Sequence, residues 1–166
     1  MSEPIETDPS VQSSWEQCER AVVGALLLGS SDSQTAILAV VERSDFGDPQ
    51  CGWVVSVAAR MRAAGVPIDM VTFAGFVERS GLLNDGQRVL NLRTWLYSVT
   101  RDAPSAVHGP WYATQVVESA ARRRVAAAGR RLLECGAGEL DEMRTVIELE
   151  AKEAIAAIDR ALLREN

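Results

Sequence analysis

The sequence predicts an all-α protein: a compact helical head followed by an antiparallel helical hairpin. Three observations carry this. Apolar residues recur at three- and four-residue steps along most of the chain. The gaps between these segments fall at capping and breaking residues such as Ser31, Gly65, Asp69 and Gly136. No segment shows a convincing strand pattern, and the β-prone run from Cys51 to Val57 lies inside a longer helical pattern. No internal repeat of the solenoid type is present.

Each element has its own local signal. Residues 1 to 12 are rich in Ser, Pro, Glu and Asp and read as a disordered tail. Ser13 and Glu16 have capping-box spacing, which starts a first helix near Ser14 whose apolar face carries Cys18, Ala21, Val22, Ala25, Leu26 and Leu28. Ser31 and Gln34 repeat that spacing and open a short second helix, from Ser33 to about Glu42. Asp45 to Pro49 reads as a turn. A third helix, from about Gln50 to Ala64, stops at Gly65, and Asp69 caps a fourth that Gly81 ends. After the Asn84-Asp85-Gly86 turn a fifth helix runs from about Gln87 to Val99. These elements make the head, residues 13–103.

Residues 104–166 form the hairpin. His108 and Pro110 suit the start of a long helix reaching about Glu134, since the first turn needs no intrahelical donor. Gly136-Ala137-Gly138 is a tight break, and a final helix runs from about Glu139 to Arg164. On that helix Leu140, Met143, Ile147, Ala151, Ala154, Ile158 and Ala161 give a near-heptad seam. Val117, Ala121, Val125, Ala128, Leu132 and Cys135 match it on the helix before. The expected packing residues are therefore Val117, Val125, Leu132, Met143, Ile147 and Ile158. Val146, Ile155 and Leu162 form a second apolar line, which must bury against the head or against another subunit. They are the candidates for self-association. The first hairpin helix is basic and the second acidic, and folding about Ala137 brings Arg124 near Glu150.

Composition narrows the function. With 166 residues and 47% hydrophobic content, the chain can build one core. A net charge of −6 argues against general nucleic-acid binding. The arginine clusters Arg122-Arg123-Arg124 and Arg130-Arg131 are the candidate phosphate contacts, weighed against salt bridging on a solvated face. Cys18, Cys51 and Cys135 are few and far apart, as expected of free thiols in a reducing cytoplasm rather than of disulfides or a zinc site. No signal peptide or membrane-spanning run is visible. Lys152 is the only lysine, and no phosphate loop of the GxxxxGK type exists. His108 is the only histidine, which leaves no second imidazole for a metal or catalytic pair. Trp15, Trp53, Trp95 and Trp111 lie on separate segments and read as core anchors, not as a base-stacking platform. No catalytic residue, metal or cofactor is expected.

Several segments resemble one family in order and spacing. Glu19-Arg20-Ala21-Val22-Val23-Gly24-Ala25-Leu26-Leu27 resembles the opening helix of the N-terminal domain of DnaB-type replicative DNA helicases. Asp45-Phe46, Gly65-Val66-Pro67-Ile68-Asp69-Met70-Val71-Thr72, Pro104-Ser105-Ala106-Val107-His108 with Tyr112-Ala113, and Arg123-Arg124 follow that domain's later motifs. The chain departs from the pattern in having His108 for the usual Asn, followed by Gly109-Pro110. The resemblance implies a head plus hairpin whose hairpins pair between subunits in a ring collar. It also implies docking of primase or loader proteins, with the ATPase motor in a separate domain of full-length members. The expected function is thus a non-catalytic, cytoplasmic replication module that forms a dimer or higher oligomer and binds primase, replicative helicase or loader. The alternatives are a stand-alone phage- or plasmid-type regulator of a cellular helicase or primase and, behind it, an arginine-cluster DNA-binding protein.

Overall fold

A computed structural model describes residues 9–136 and 139–163, with side chains from residue 14 onward. Among these residues there are seven α-helices: α1 (Pro9–Leu28), α2 (Ser31–Val40), α3 (Pro49–Ala63), α4 (Met70–Arg79), α5 (Gly86–Asp102), α6 (Gly109–Cys135) and α7 (Leu140–Leu162). Single 3₁₀ turns, Arg43–Asp45 and Ala106–His108, lie before α3 and α6. The fold is all-α, as the periodicity predicts.

Local chemistry sets most boundaries. The Asp69 carboxylate accepts the N–H groups of Val71 and Thr72 at 2.8 and 2.9 Å, and the Thr72 hydroxyl takes the Asp69 N–H. This reciprocal box satisfies donors that the first turn of α4 leaves free. Asp48 and Asp85 cap α3 and α5 in the simpler way. Gly65, with φ of +68°, ends α3 in the left-handed conformation that other residues adopt only at a cost.

Three starts differ from expectation. Helix α1 begins at Pro9, so residues 9–12 are helical and not part of a tail; residues 1–8 lie outside the described residues. Helix α2 is capped by Ser30, not Ser31, and Gln34 turns inward instead of closing a box. His108 occupies the N-cap position of α6 without a side-chain capping bond. The Gly136-Ala137-Gly138 joint falls partly on residues 137–138, outside the described residues.

Helix α1 is the hub, packing against α2, α3, α5 and α6. Its wholly buried Val22, Val23 and Leu26 meet Ile37, Val54, Met61, Phe73 and Leu96 from the surrounding helices. Each such side chain contributes about 1.5–3 kcal/mol when removed from water. The first half of α6 belongs to the same core through Ala113, Val116 and Val117. Only the second half of α6 stands clear, and α7 folds back along it. Of the four tryptophans, Trp15, Trp53 and Trp95 are half-buried, whereas Trp111 is exposed and sits edge-on to Tyr112. Trp111 is therefore no core anchor.

Candidate functional site

The head and the hairpin meet at a cluster of charged side chains around the Arg43–Asp45 turn. Glu19 on α1 is buried, and its two carboxylate oxygens accept the N–H groups of Gly47 and Asp48 at 2.7 and 2.8 Å. Arg123 on α6 lies 3.5 Å from the same carboxylate and donates to the carbonyl of Asp45. The Asp45 side chain has no exposed surface. It accepts the Glu42 N–H at 2.7 Å and a two-pronged bond from Arg160 on α7 at 2.6 and 2.8 Å. Arg160 also reaches the Val40 carbonyl at 3.0 Å and the Glu42 carboxylate at 3.4 Å. The Asp45 bond raises the Arg160 pKa further, keeping it cationic. Three guanidiniums, with Arg124 at 3.9 Å from Asp45, thus face the three carboxylates of Glu19, Glu42 and Asp45.

This cluster takes up two of the arginines singled out for phosphate contact, Arg123 and Arg124. Arg122 pairs with Glu118 one turn away, Arg123 holds the Asp45 turn, and Arg124 donates to the Ser44 hydroxyl at 3.2 Å. All three are occupied inside the chain.

The hairpin register differs from that expected. Glu150 pairs with Arg131 at 2.7 and 3.0 Å, about two turns along α6 from Arg124. Glu150 is buried in the seam, and the Arg131 bond compensates its loss of water. The face of α7 turned to α6 is marked by buried Glu150 and Ala157, with Met143 and Val146 half-buried. Val117 is buried and Leu132 half-buried on α6. Val125, Ile147 and Ile158, placed in the seam from the spacing, are instead 41%, 47% and 41% exposed. Ile155 and Leu162 are exposed at 57% and 54%. The outer flank of α7 is consequently an apolar strip of Ile147, Ile155, Ile158 and Leu162. Beside it runs a groove of about 440 Å³ lined by Ala121, Val125, Ala126, Ile158, Ala161 and Leu162, with Glu118 and Arg122 at its polar edge. Sequence reasoning missed three members of the junction, Glu19, Asp45 and Arg160, as site residues. A charged residue in an otherwise apolar helical row, as Glu19 is in α1, was the available signal.

The comparisons agree with this architecture. The family model described as DnaB-like helicase N terminal domain matches residues 11–118. The chain belongs to that family. Among curated proteins it is 31% identical over 118 residues to a replicative DNA helicase DnaB of Mycobacterium leprae, covering 71% of this chain and 19% of that protein. It is 28% identical over 118 residues to the replicative DNA helicase DnaB of Leifsonia xyli, covering 71% of this chain and 25% of that protein. It therefore spans a quarter or less of the length of these relatives. Among solved structures, the crystal structure of the N-terminal domain of DnaB helicase from Mycobacterium tuberculosis superposes with a TM-score of 0.72 at 28% identity. That match covers 82% of this chain and 95% of the other.

Proposed function

We propose that this chain is a non-catalytic interaction domain of DNA replication that associates with itself through the outer face of its hairpin and docks primase, a helicase loader or a replicative helicase. The observation that carries the reading is the exposed strip Ile147, Ile155, Ile158 and Leu162 beside an apolar groove on a projecting hairpin. Large apolar side chains aligned along one surface are a feature of interaction faces. Membership of a replicative-helicase domain family supports the choice of partners. The absence of a phosphate loop from the sequence, with Lys152 placed on α7, supports a role without nucleotide turnover. Arg122, Arg123 and Arg124 on α6 each pair with an acceptor of the chain itself, which disfavours direct DNA contact by that cluster.

Two titrations test the reading. Purified primase and purified replicative helicase, each titrated with the chain, should show saturable binding in at least one case, at Kd of about 1–10 μM, a range typical of transient assembly. ATP titrated into the chain should give no saturable heat. Stoichiometric micromolar ATP binding, or silence with both proteins together with a strictly monomeric chain, would overturn it.

A further inference from the structure

We infer that Asp45 and Arg160 form a latch holding the second half of α7 to the head, so that opening this one ion pair frees that half of the helix while the head and α6 keep their fold. Apart from that pair, the second half of α7 is held to the rest of the chain by small side chains: Ala157 is buried, and half-buried Ala161 packs against the core. The buried residues of α7 are Glu150 and Ala157, Met143 and Val146 are half-buried against α6 in its first half, and the large apolar side chains of its second half, Ile155, Ile158 and Leu162, are 57%, 41% and 54% exposed. A buried alanine contributes far less apolar burial than a leucine or isoleucine. Two ionic tethers add to this packing, Arg131–Glu150 near the tip of the hairpin and Arg160–Asp45 at its base. The basal one is the stronger fixture. The Asp45 carboxylate is fully buried, its bond to Arg160 is two-pronged, and Arg160 also takes the Val40 carbonyl.

The head is built to survive the opening. With Arg160 gone, Asp45 still accepts the Glu42 N–H, and the Arg123 bond still pins the turn to α6. The Glu19 bonds to Gly47 and Asp48 hold the following loop independently. Arg160 itself is partly open to water, so the latch can exchange partners without unfolding the core. Residues of α7 carry the strip proposed above as an interaction face, but the latch follows from the junction geometry alone and stands whether or not the chain self-associates.

Hydrogen exchange read by mass spectrometry on the full chain tests this, with wild type, Arg160→Met and Asp45→Asn. Arg160→Met keeps the aliphatic stem and leaves Asp45 its backbone donor, while Asp45→Asn removes the buried charge itself and leaves a partly exposed arginine, so Asp45→Asn is the variant least prone to unfold. Two protein concentrations about a hundredfold apart separate protection by the latch from protection by association. In both variants residues 151–162 should exchange at least about tenfold faster, while residues 14–100 stay within about twofold of wild type, as expected of a local opening. Unchanged exchange in residues 151–162 of Arg160→Met would overturn the latch. So would an equal rise throughout the head, which would make the pair an inseparable part of the core.

Discussion

Gln34 donates its side-chain amide to the carbonyl oxygen of Ile68 at 2.7 Å and also to that of Leu26 at 2.9 Å. One buried side chain on α2 thereby joins the end of α1 to the loop that precedes α4. Both carbonyls lie where water does not reach them well, so the amide matters beyond its own bonds. Replacing Gln34 with Leu should lower unfolding stability by about 1–3 kcal/mol, the penalty for leaving buried acceptors unpaired. Urea denaturation measures it, and a loss below about 0.5 kcal/mol would show that the loop finds other donors.

The Asp69 cap gives a stability term with a defined pH dependence. The Thr72 N–H, foremost among its donors, holds the Asp69 carboxyl below its ordinary range. A carboxyl depressed in the folded state stabilises above its unfolded pKa and loses that contribution as pH falls through the folded value. Asp69→Ala should cost about 1 kcal/mol at neutral pH. The gap between wild type and Asp69→Asn should narrow as pH drops below about 4, the unfolded carboxyl range. A gap that is flat with pH, followed by thermal unfolding, would show that charge plays no part in the cap.

Gly109 marks a close approach between helices. A Cβ built there would lie 2.6 Å from the Ile37 Cδ1 and 2.7 Å from the Ala25 Cβ. Helix α6 therefore begins in direct contact with α1 and α2, and packing explains the glycine of the Gly109-Pro110 departure, while Pro110 occupies the first turn of α6, where its missing N–H is tolerated. Gly109→Ala should destabilise by about 1–3 kcal/mol through overpacking. Adding Ala25→Gly should recover part of that loss, since the two sites share one contact. A neutral Gly109→Ala variant would mean that the helix ends simply move apart.

Much of the head was legible because its signals are local. Asp69 and Gly65 act on backbone within a few residues, and the structure uses them as their sequence positions suggest, while Asp85, read only as part of a turn, caps α5. The Gly24 of the opening motif has a packing reason: a Cβ there would meet the Ala103 Cβ at 2.5 Å, so α1 can pass close to the chain leaving α5. The hairpin was legible as an object but not in its register. Several arginines on α6 face several acids on α7, and spacing does not choose Arg131 over Arg124 for Glu150. Nor does it choose which of two adjacent apolar lines turns inward. The seam takes the face bearing Glu150, a charged residue that pattern reading assigns to solvent, and Arg131 offsets the cost of burying it. The junction of Asp45 with Arg160 links residues far apart in sequence, and no periodicity reports it.

The central claim is that the outer strip of α7 is an association face. Sedimentation equilibrium of wild type, Ile155→Asp and the control Leu90→Asp tests it most directly. Ile155 and Leu90 are equally exposed, at 57% each, but Ile155 lies on the strip and Leu90 on α5 of the head. At about 100 μM wild type and Leu90→Asp should sediment as dimers or larger species. Ile155→Asp should be monomeric, because an unpaired charge in such a face costs several kcal/mol. A wild-type chain that stays monomeric at that concentration, or an Ile155→Asp chain that associates as well as wild type, would contradict the account.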